Sequence, residues 1–251
     1  MLDRHEEYDR MAECEQKLWW YRALHERTVE AIRQRFGQQP LRILDAGCGT
    51  GGLMMYLREQ GFPQVEGFDL SDSAVRYCAD RGLQAKTLDL KLMAQHYPAE
   101  SFDVIVSNDT VCYLDAAERE AFVNGGHALL KDGGLLIFNA PAHEVFAGVH
   151  DRAVGIGKRF RRADIGVMNA AGRMTEVKSG YWPFLLSPLI LLVRTWQRFG
   201  LATGLIHEIH SDVSMPSPTL NRLFLGLCRW EQRVLGLAGF GSSLFVVLQR
   251  R

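Results

Sequence analysis

The chain has 251 residues, with 29 Lys and Arg against 29 Asp and Glu, so its formal net charge is zero. Hydrophobic residues make up 47% and charged ones 23%, near ordinary globular usage, which excludes a disordered, collagen-like or acidic solvating chain. A neutral balance also argues against nucleic acid as the main ligand, because gripping a phosphate backbone calls for a basic surface, though it leaves room for a local basic patch. Cys14, Cys48, Cys78, Cys112 and Cys228 stand far apart with no C-x-x-C pair. That argues against a disulfide scaffold or a zinc site and for a reducing compartment. The charged start, Asp3-Arg4-His5-Glu6-Glu7, lacks the apolar core of a signal peptide. The longest apolar stretch, 183–193, is well short of the about 20 residues that span a bilayer. The expectation is a cytoplasmic protein with one apolar segment, 181–206, suited to peripheral contact with a membrane.

Residues 1 to about 36 read as helical, with Leu18, Tyr21, Leu24, Thr28, Ile32 and Phe36 at steps of three and four and Gly37 as a stop. The chain then alternates. Strands are expected at 41–44, 65–68, 84–88, 102–106 and 135–138. Between them a helix runs over 52–60, and another is capped by Ser71 and ended by Gly82. A third, opened by the capping-box spacing of Asp115 and Glu118, extends to about Lys131. Strand, helix, strand repeated in this way predicts an α/β, doubly wound sheet with ligands at the carboxyl ends of the strands. After Pro141 the pattern loosens into a Gly- and Arg-rich stretch, a strand at 175–178, an apolar helical region and a closing strand at 243–248. Pro183 and Pro188 predict a hairpin or a kinked helix in the apolar region. Three units are expected: a helical cap over 1–36, a Rossmann-like core over 37–141, and an acceptor loop, largely helical apolar insertion and last strand over 142–251.

The most informative stretch is Ile43-Leu44-Asp45-Ala46-Gly47-Cys48-Gly49-Thr50-Gly51-Gly52. Its glycines allow a tight turn and close approach to a ligand. Gly47, Gly49 and Gly52 also satisfy G-x-G-x-x-G, so an NAD(P)-dependent oxidoreductase is one alternative. Asp45 weighs against it, because an anion repels a pyrophosphate and welcomes an ammonium group. So does the helical segment ahead of the first strand, and no Tyr-x-x-x-Lys pair marks a hydride site. A non-catalytic cofactor-binding protein of the same fold is the other alternative.

The run 44–51 resembles the first motif of the class I S-adenosyl-L-methionine-dependent methyltransferases. Phe68-Asp69-Leu70-Ser71 is similar to the second, Asp89-Leu90 falls where the family contacts adenine, and 102–108 and 130–136 resemble the fourth- and fifth-strand motifs. The resemblance implies methyl transfer, with S-adenosyl-L-homocysteine as the product. It implies a cofactor site of Asp45, Gly47, Cys48, Gly49, Gly51, Asp69, Leu70, Asp89, Leu90 and Asn108. In it Asp69 accepts from the ribose hydroxyls, Asp89 accepts from the adenine amino group, and Leu70 and Leu90 cover the ring. Cys48 is a small loop residue there and no nucleophile.

Glu7-Tyr8-Asp9-Arg10-Met11-Ala12 with Trp19-Trp20-Tyr21-Arg22, and His150-Asp151 with Gly155, Lys158, Arg159 and Phe160, resemble a bacterial group tied to glycan, lipid and natural-product biosynthesis. That group often carries His where this chain has Ile156. Trp20 and Arg22 are expected as a lid and as a partner of the cofactor's carboxylate. His150 and His143, past the fifth strand, are the candidate bases, because imidazole titrates near neutral pH. Arg152, Lys158, Arg159, Arg161 and Arg162 form a basic stretch, so Arg159 and Arg161 are expected on a phosphate or carboxylate of the acceptor. Tyr113, Tyr181 and Trp182 are expected to line its apolar part. His207 and His210 are a pair without further ligands, so no metal is expected. The acceptor expected is a small molecule that joins an anionic group to an apolar one.

Overall fold

A computed structural model describes residues 4–205 and 214–251; His207 and His210 lie outside the described residues. The elements are α1 (Arg4–Cys14), α2 (Trp19–Phe36), β1 (Arg42–Ala46), α3 (Gly52–Glu59), β2 (Gln64–Asp69), α4 (Asp72–Asp80), β3 (Gln84–Thr87) and α5 (Met93–His96). They continue with β4 (Phe102–Asn108), α6 (Ala116–Leu129), β5 (Leu130–Pro141), α7 (Val149–Val154), α8 (Arg162–Met168), β6 (Met174–Trp182), α9 (Ser187–Ala202), α10 (Pro218–Val234) and β7 (Ser243–Arg250).

Local chemistry accounts for the boundaries. Ser71 Oγ accepts from Ala74 N and opens α4. Asp115 and Glu118 exchange two 2.8 Å hydrogen bonds with each other's backbone and open α6. The N-terminal region is two helices, because the chain turns at 15–18. Trp19, Trp20 and Tyr21 therefore begin a long helix. Pro188 stands in the first turn of α9, where its missing N–H costs nothing, so 187–202 is one uninterrupted helix and no hairpin, with Pro183 in the turn ahead of it.

The seven strands form one sheet in the order β3-β2-β1-β4-β5-β7-β6, parallel except for β7, which runs antiparallel between β5 and β6. Residues 142–251 therefore complete the same sheet. Alternation along each strand divides the core into two layers. Leu44, Phe68, Ile105, Leu136 and Phe138 pack with α5, α6 and α8. Ile43, Val65, Val104, Val106 and Ile137 pack with Leu24 and Ile32 of α2, Leu53 and Leu57 of α3, and Cys228 of α10. Strand order reverses between β1 and β4, which opens a crevice at their carboxyl ends. No helix among the described residues is long and apolar enough to cross a membrane.

Candidate active site

The loop after β1 is tied down first by its backbone. Gly47 N and Cys48 N both donate to Phe68 O, at 2.8 and 2.9 Å, which fastens the loop to the end of β2. Gly47 has φ +83°, and a Cβ there would stand 2.4 Å from Thr110 Oγ1, so only glycine lets the loop after β4 cross so closely. Gly49 has φ +53°, and a Cβ there would stand 2.9 Å from Met11 Sδ. Cys48 is buried beside Cys78 Sγ at 3.9 Å, and that contact together with burial holds its thiol well above the ordinary range. It is a packing residue.

Asp69 ends β2. One oxygen accepts from Gly49 N at 2.9 Å; the other accepts from Ser71 N at 3.0 Å and from the Tyr8 hydroxyl at 3.2 Å. Asp45, at the end of β1, is 2% exposed. Burial, with the charges of Asp69 and Glu15, pushes its ionisation up to about 8. Asn108 Oδ1 is buried without a partner. Asp89 caps the turn after β3 by accepting from Lys91 N at 3.0 Å. Leu70 is 59% exposed, whereas Leu90 is buried in the core with Phe68 and Phe102.

The crevice is roofed by α1, ahead of the aromatic run expected to do so. Tyr8 reaches Asp69, Asp9 accepts from Tyr77 Oη, Met11 lies on Gly49, and Ala12 O accepts from Arg81. Glu15, buried just past α1, accepts from Thr50 Oγ1 at 2.6 Å and Gly52 N at 3.0 Å and pairs with Arg81. The positive end of α3 is thus met by a carboxylate of the chain itself, and a dinucleotide's pyrophosphate would have to displace it. Arg22 lies over the Tyr56 ring at 4.7 Å and 3.9 Å from Glu26, directed at α3. Trp20 stacks on Trp182 with ring centroids 5.7 Å apart.

Beyond β4 the structure supplies residues that the sequence reading passed over. Asp109 has φ +53° and donates its backbone N–H to Asn139 O at 2.8 Å. Asn139 Nδ2 donates to both Asp109 carboxylate oxygens at 3.0 Å, and Asn139 Oδ1 accepts from Trp182 Nε1 at 2.9 Å. Burial raises Asp109 to about 6, against the lowering pull of Asn139 and the Arg159 charge. A lone Asn inside the apolar run Leu135-Leu136-Ile137-Phe138-Asn139-Ala140 was the signal available for this network.

His143 follows β5 with φ +50°, its ring between Tyr181 (4.3 Å) and Phe240 (5.2 Å), and its Nε2 is buried without a partner. Burial, then the charges of Arg161 and Arg159, holds its imidazole below the ordinary pKa, so it is neutral at pH 7. Arg159 is buried, paired with Asp151 at 2.8 Å and donating to Ala142 O. Arg161 is exposed, and its backbone N–H donates to Asp164. Tyr181 Oη accepts from Arg162 N, Trp182 is fully buried, and Tyr113 stands half-exposed past β4. His150 lies on α7, partly buried. A cleft of about 310 Å³ between α7 and α9 is lined by Ala147, Gly148, Asp151, Arg152, Arg198, Leu201 and Ala202. A larger one, about 680 Å³, lies between α1 and α4, and no strand end lines it. No three metal-ligating side chains converge among the described residues.

The family profile described as Methyltransferase domain matches residues 20–179, more than half of the chain. The chain belongs to the methyltransferase family. Phosphoethanolamine N-methyltransferase 1 of Arabidopsis thaliana is 30% identical over 115 residues, 44% of this chain and 22% of that enzyme, so the chain spans only a small part of the plant enzyme's length. Solved structures share the fold. A SAM dependent methyltransferase from Archaeoglobus fulgidus aligns with TM-score 0.56 at 14% identity, over 89% of this chain and 93% of that one. Geranyl diphosphate C-methyltransferase from Streptomyces coelicolor, solved with Mg2+, geranyl diphosphate and S-adenosyl-L-homocysteine, aligns with TM-score 0.54 at 15% identity, over 89% and 80%. The crevice fits the family's cofactor: a glycine loop with no room for side chains, an oriented carboxylate at Asp69, and a buried acid at Asp45 whose charged neighbours raising its ionisation are Asp69 and Glu15.

Proposed function

We propose that this protein transfers the methyl group of S-adenosyl-L-methionine to a small acceptor joining an anionic group to an apolar one. The observation that carries the cofactor half is the pair of carboxylates flanking the glycine loop, Asp69 held by Gly49 N and Ser71 N, and Asp45 buried beside it. When bound, the cofactor supplies a methyl group made electrophilic by its sulfonium. The chain's residues hold, orient and exclude. Asp69 holds the ribose hydroxyls, Asp89 the adenine amino group and Asp45 the ammonium, while Tyr8 and Met11 of α1 keep water out. His143, neutral and with Nε2 free, takes the acceptor's proton, and Asp109 orients the acceptor from the β4 side. The acceptor half rests on the cleft between α7 and α9, where Arg152 and Arg198 meet the apolar Leu201 and Ala202. Phosphoethanolamine and geranyl diphosphate, named for the relative and the structural neighbour, both carry phosphate and support an anionic acceptor. Arg161 at the rim is a further donor to that group, with Arg159 positioning the loop through Asp151.

Titration calorimetry tests the reading. S-adenosyl-L-homocysteine should bind, NAD should give no heat, and Asp69→Ala should weaken binding by about 1.5–3 kcal/mol for each charge-assisted hydrogen bond lost. Binding of NAD in preference, or unchanged affinity in the variant, would sink it.

A further inference from the structure

Helix α9 is apolar on the face it turns to solvent as well as on the face that seats Ile190 against the core. Its inner face, against α7, carries Arg194 and Gln197, which hydrogen-bond to each other at 2.9 Å. Arg194 lies so close to Gly148 that a Cβ there would stand 2.7 Å from Arg194 Cδ. The outer face carries Leu189, Leu192, Val193, Trp196 and Phe199, with Leu192 67% and Trp196 65% exposed. Positions 189, 192, 196 and 199 recur at steps of three and four, so they form one continuous stripe. The stripe is not an accident of a frayed end: Leu185 N donates to the buried Glu231 carboxylate of α10, which anchors the start of α9.

Charge selects the occupant. Residues 187–205 contain Arg194 and Arg198 and no acid, in a chain whose net charge is zero. Arg194 faces inward, so the basic edge of the stripe is Arg198, which shares a cleft with Arg152 and with Asp151, itself paired with Arg159. An apolar stripe with an interfacial tryptophan, flanked by arginines and free of acids, is complementary to an anionic lipid surface, with the helix lying in the headgroup plane. We infer that α9 docks the protein onto anionic phospholipid, apolar stripe inward and the α7–α9 cleft facing the bilayer. The apolar stripe carries the inference; Arg198 also lines the cleft proposed for the acceptor, so Leu192→Glu, outside that cleft, is the variant that separates the two readings.

Flotation with phosphatidylcholine vesicles, with and without phosphatidylglycerol, tests it. The protein should float with the phosphatidylglycerol vesicles only, and less at high salt. Leu192→Glu should weaken this by about tenfold, since one largely buried leucine is lost from the interface. Arg198→Ala should weaken it by about fivefold. Both positions are on the surface, so melting temperature and S-adenosyl-L-homocysteine affinity should stay unchanged in both variants. A folded, cofactor-binding protein that ignores anionic vesicles overturns the inference, as does flotation indifferent to Leu192→Glu. Sedimentation velocity without lipid covers the other occupant: a dimer that Leu192→Glu dissociates would make the stripe a subunit contact and also overturn it. Vesicle binding by a protein that does not bind S-adenosyl-L-homocysteine would instead count against the methyltransferase reading and leave this one standing.

Discussion

Burial beside Asp69 and Glu15 keeps the Asp45 carboxyl protonated up to about pH 8, whereas an unfolded aspartate ionises near about 4. Between those values the folded state binds the extra proton, so stability falls as pH rises from about 4 to about 8. Asp45→Asn, neutral throughout, should therefore melt higher than the native protein at pH 7 by at least about 1 kcal/mol in stability, with the gain vanishing toward pH 4. The same substitution should weaken S-adenosyl-L-homocysteine binding by about tenfold or more, through loss of an ion pair with the ammonium. Binding to the native protein at pH 7 should release a proton, which calorimetry in buffers of different ionisation enthalpy reads directly. No release would remove Asp45 as the ammonium's partner. Asp45 and Asp69 were legible in the sequence, because each ends a strand beside the glycine loop. Glu15 was not, since its contacts with Thr50, Gly52 and Arg81 join parts of the chain that only folding brings together.

At the scale of elements, α1 and α2 divide the labour expected of one helical cap over 1–36. Helix α2 buries Leu24 and Ile32 in the core, so it belongs to the foundation of the sheet. Helix α1 meets the site through Tyr8 and Met11, and is fastened to α4 and its C-terminal cap through Asp9 and Ala12. Removing residues 1–13 should leave a cooperatively folded protein, while cofactor dissociation speeds up by about tenfold, as for a lost active-site cover. Stopped-flow displacement of S-adenosyl-L-homocysteine measures this. Unchanged dissociation in a folded truncation would reduce α1 to packing. Tyr8→Phe, which removes only the hydroxyl on Asp69, should fall between the two. The aromatic run 19–21 drew attention as a lid because large aromatics look like site residues, yet Trp20, partly buried, stacks on the buried Trp182 where helix meets sheet.

The whole molecule depends on residues that connect layers distant in sequence. Trp182 ends β6, stacks on Trp20 of α2, lies 5.2 Å from the Arg27 guanidinium, and donates to Asn139 of β5, which in turn holds Asp109. Trp182→Ala should cost about 3–5 kcal/mol of stability, read from the shift in urea midpoint. Trp182→Phe keeps the ring but leaves Asn139 Oδ1 unpartnered, and should cost about 1–3 kcal/mol. If both variants unfold at the native midpoint, the joint is not structural. Trp182 was expected against the acceptor; its full burial makes it a support for the site, one contact removed from Asp109.

What the sequence by itself determined is the parallel half of the sheet, β1 to β5, and the acids at its strand ends. Buried parallel strands are short apolar runs, their helices are capped by recognisable residues, and a glycine loop with adjacent carboxylates is a local pattern. Tertiary structure alone decided the rest. Strand β7 inserts between β5 and β6, its pairings with β5 more than a hundred residues apart, α1 crosses the glycine loop, and Asp109 is set by Asn139 and Trp182. It also left Leu189, Leu192, Trp196 and Phe199 of α9 outward, because the face that packs on the molecule is the one with Ile190, Arg194 and Gln197. Periodicity shows that a helix has two faces; only the surface it packs against decides which of them is left to the solvent.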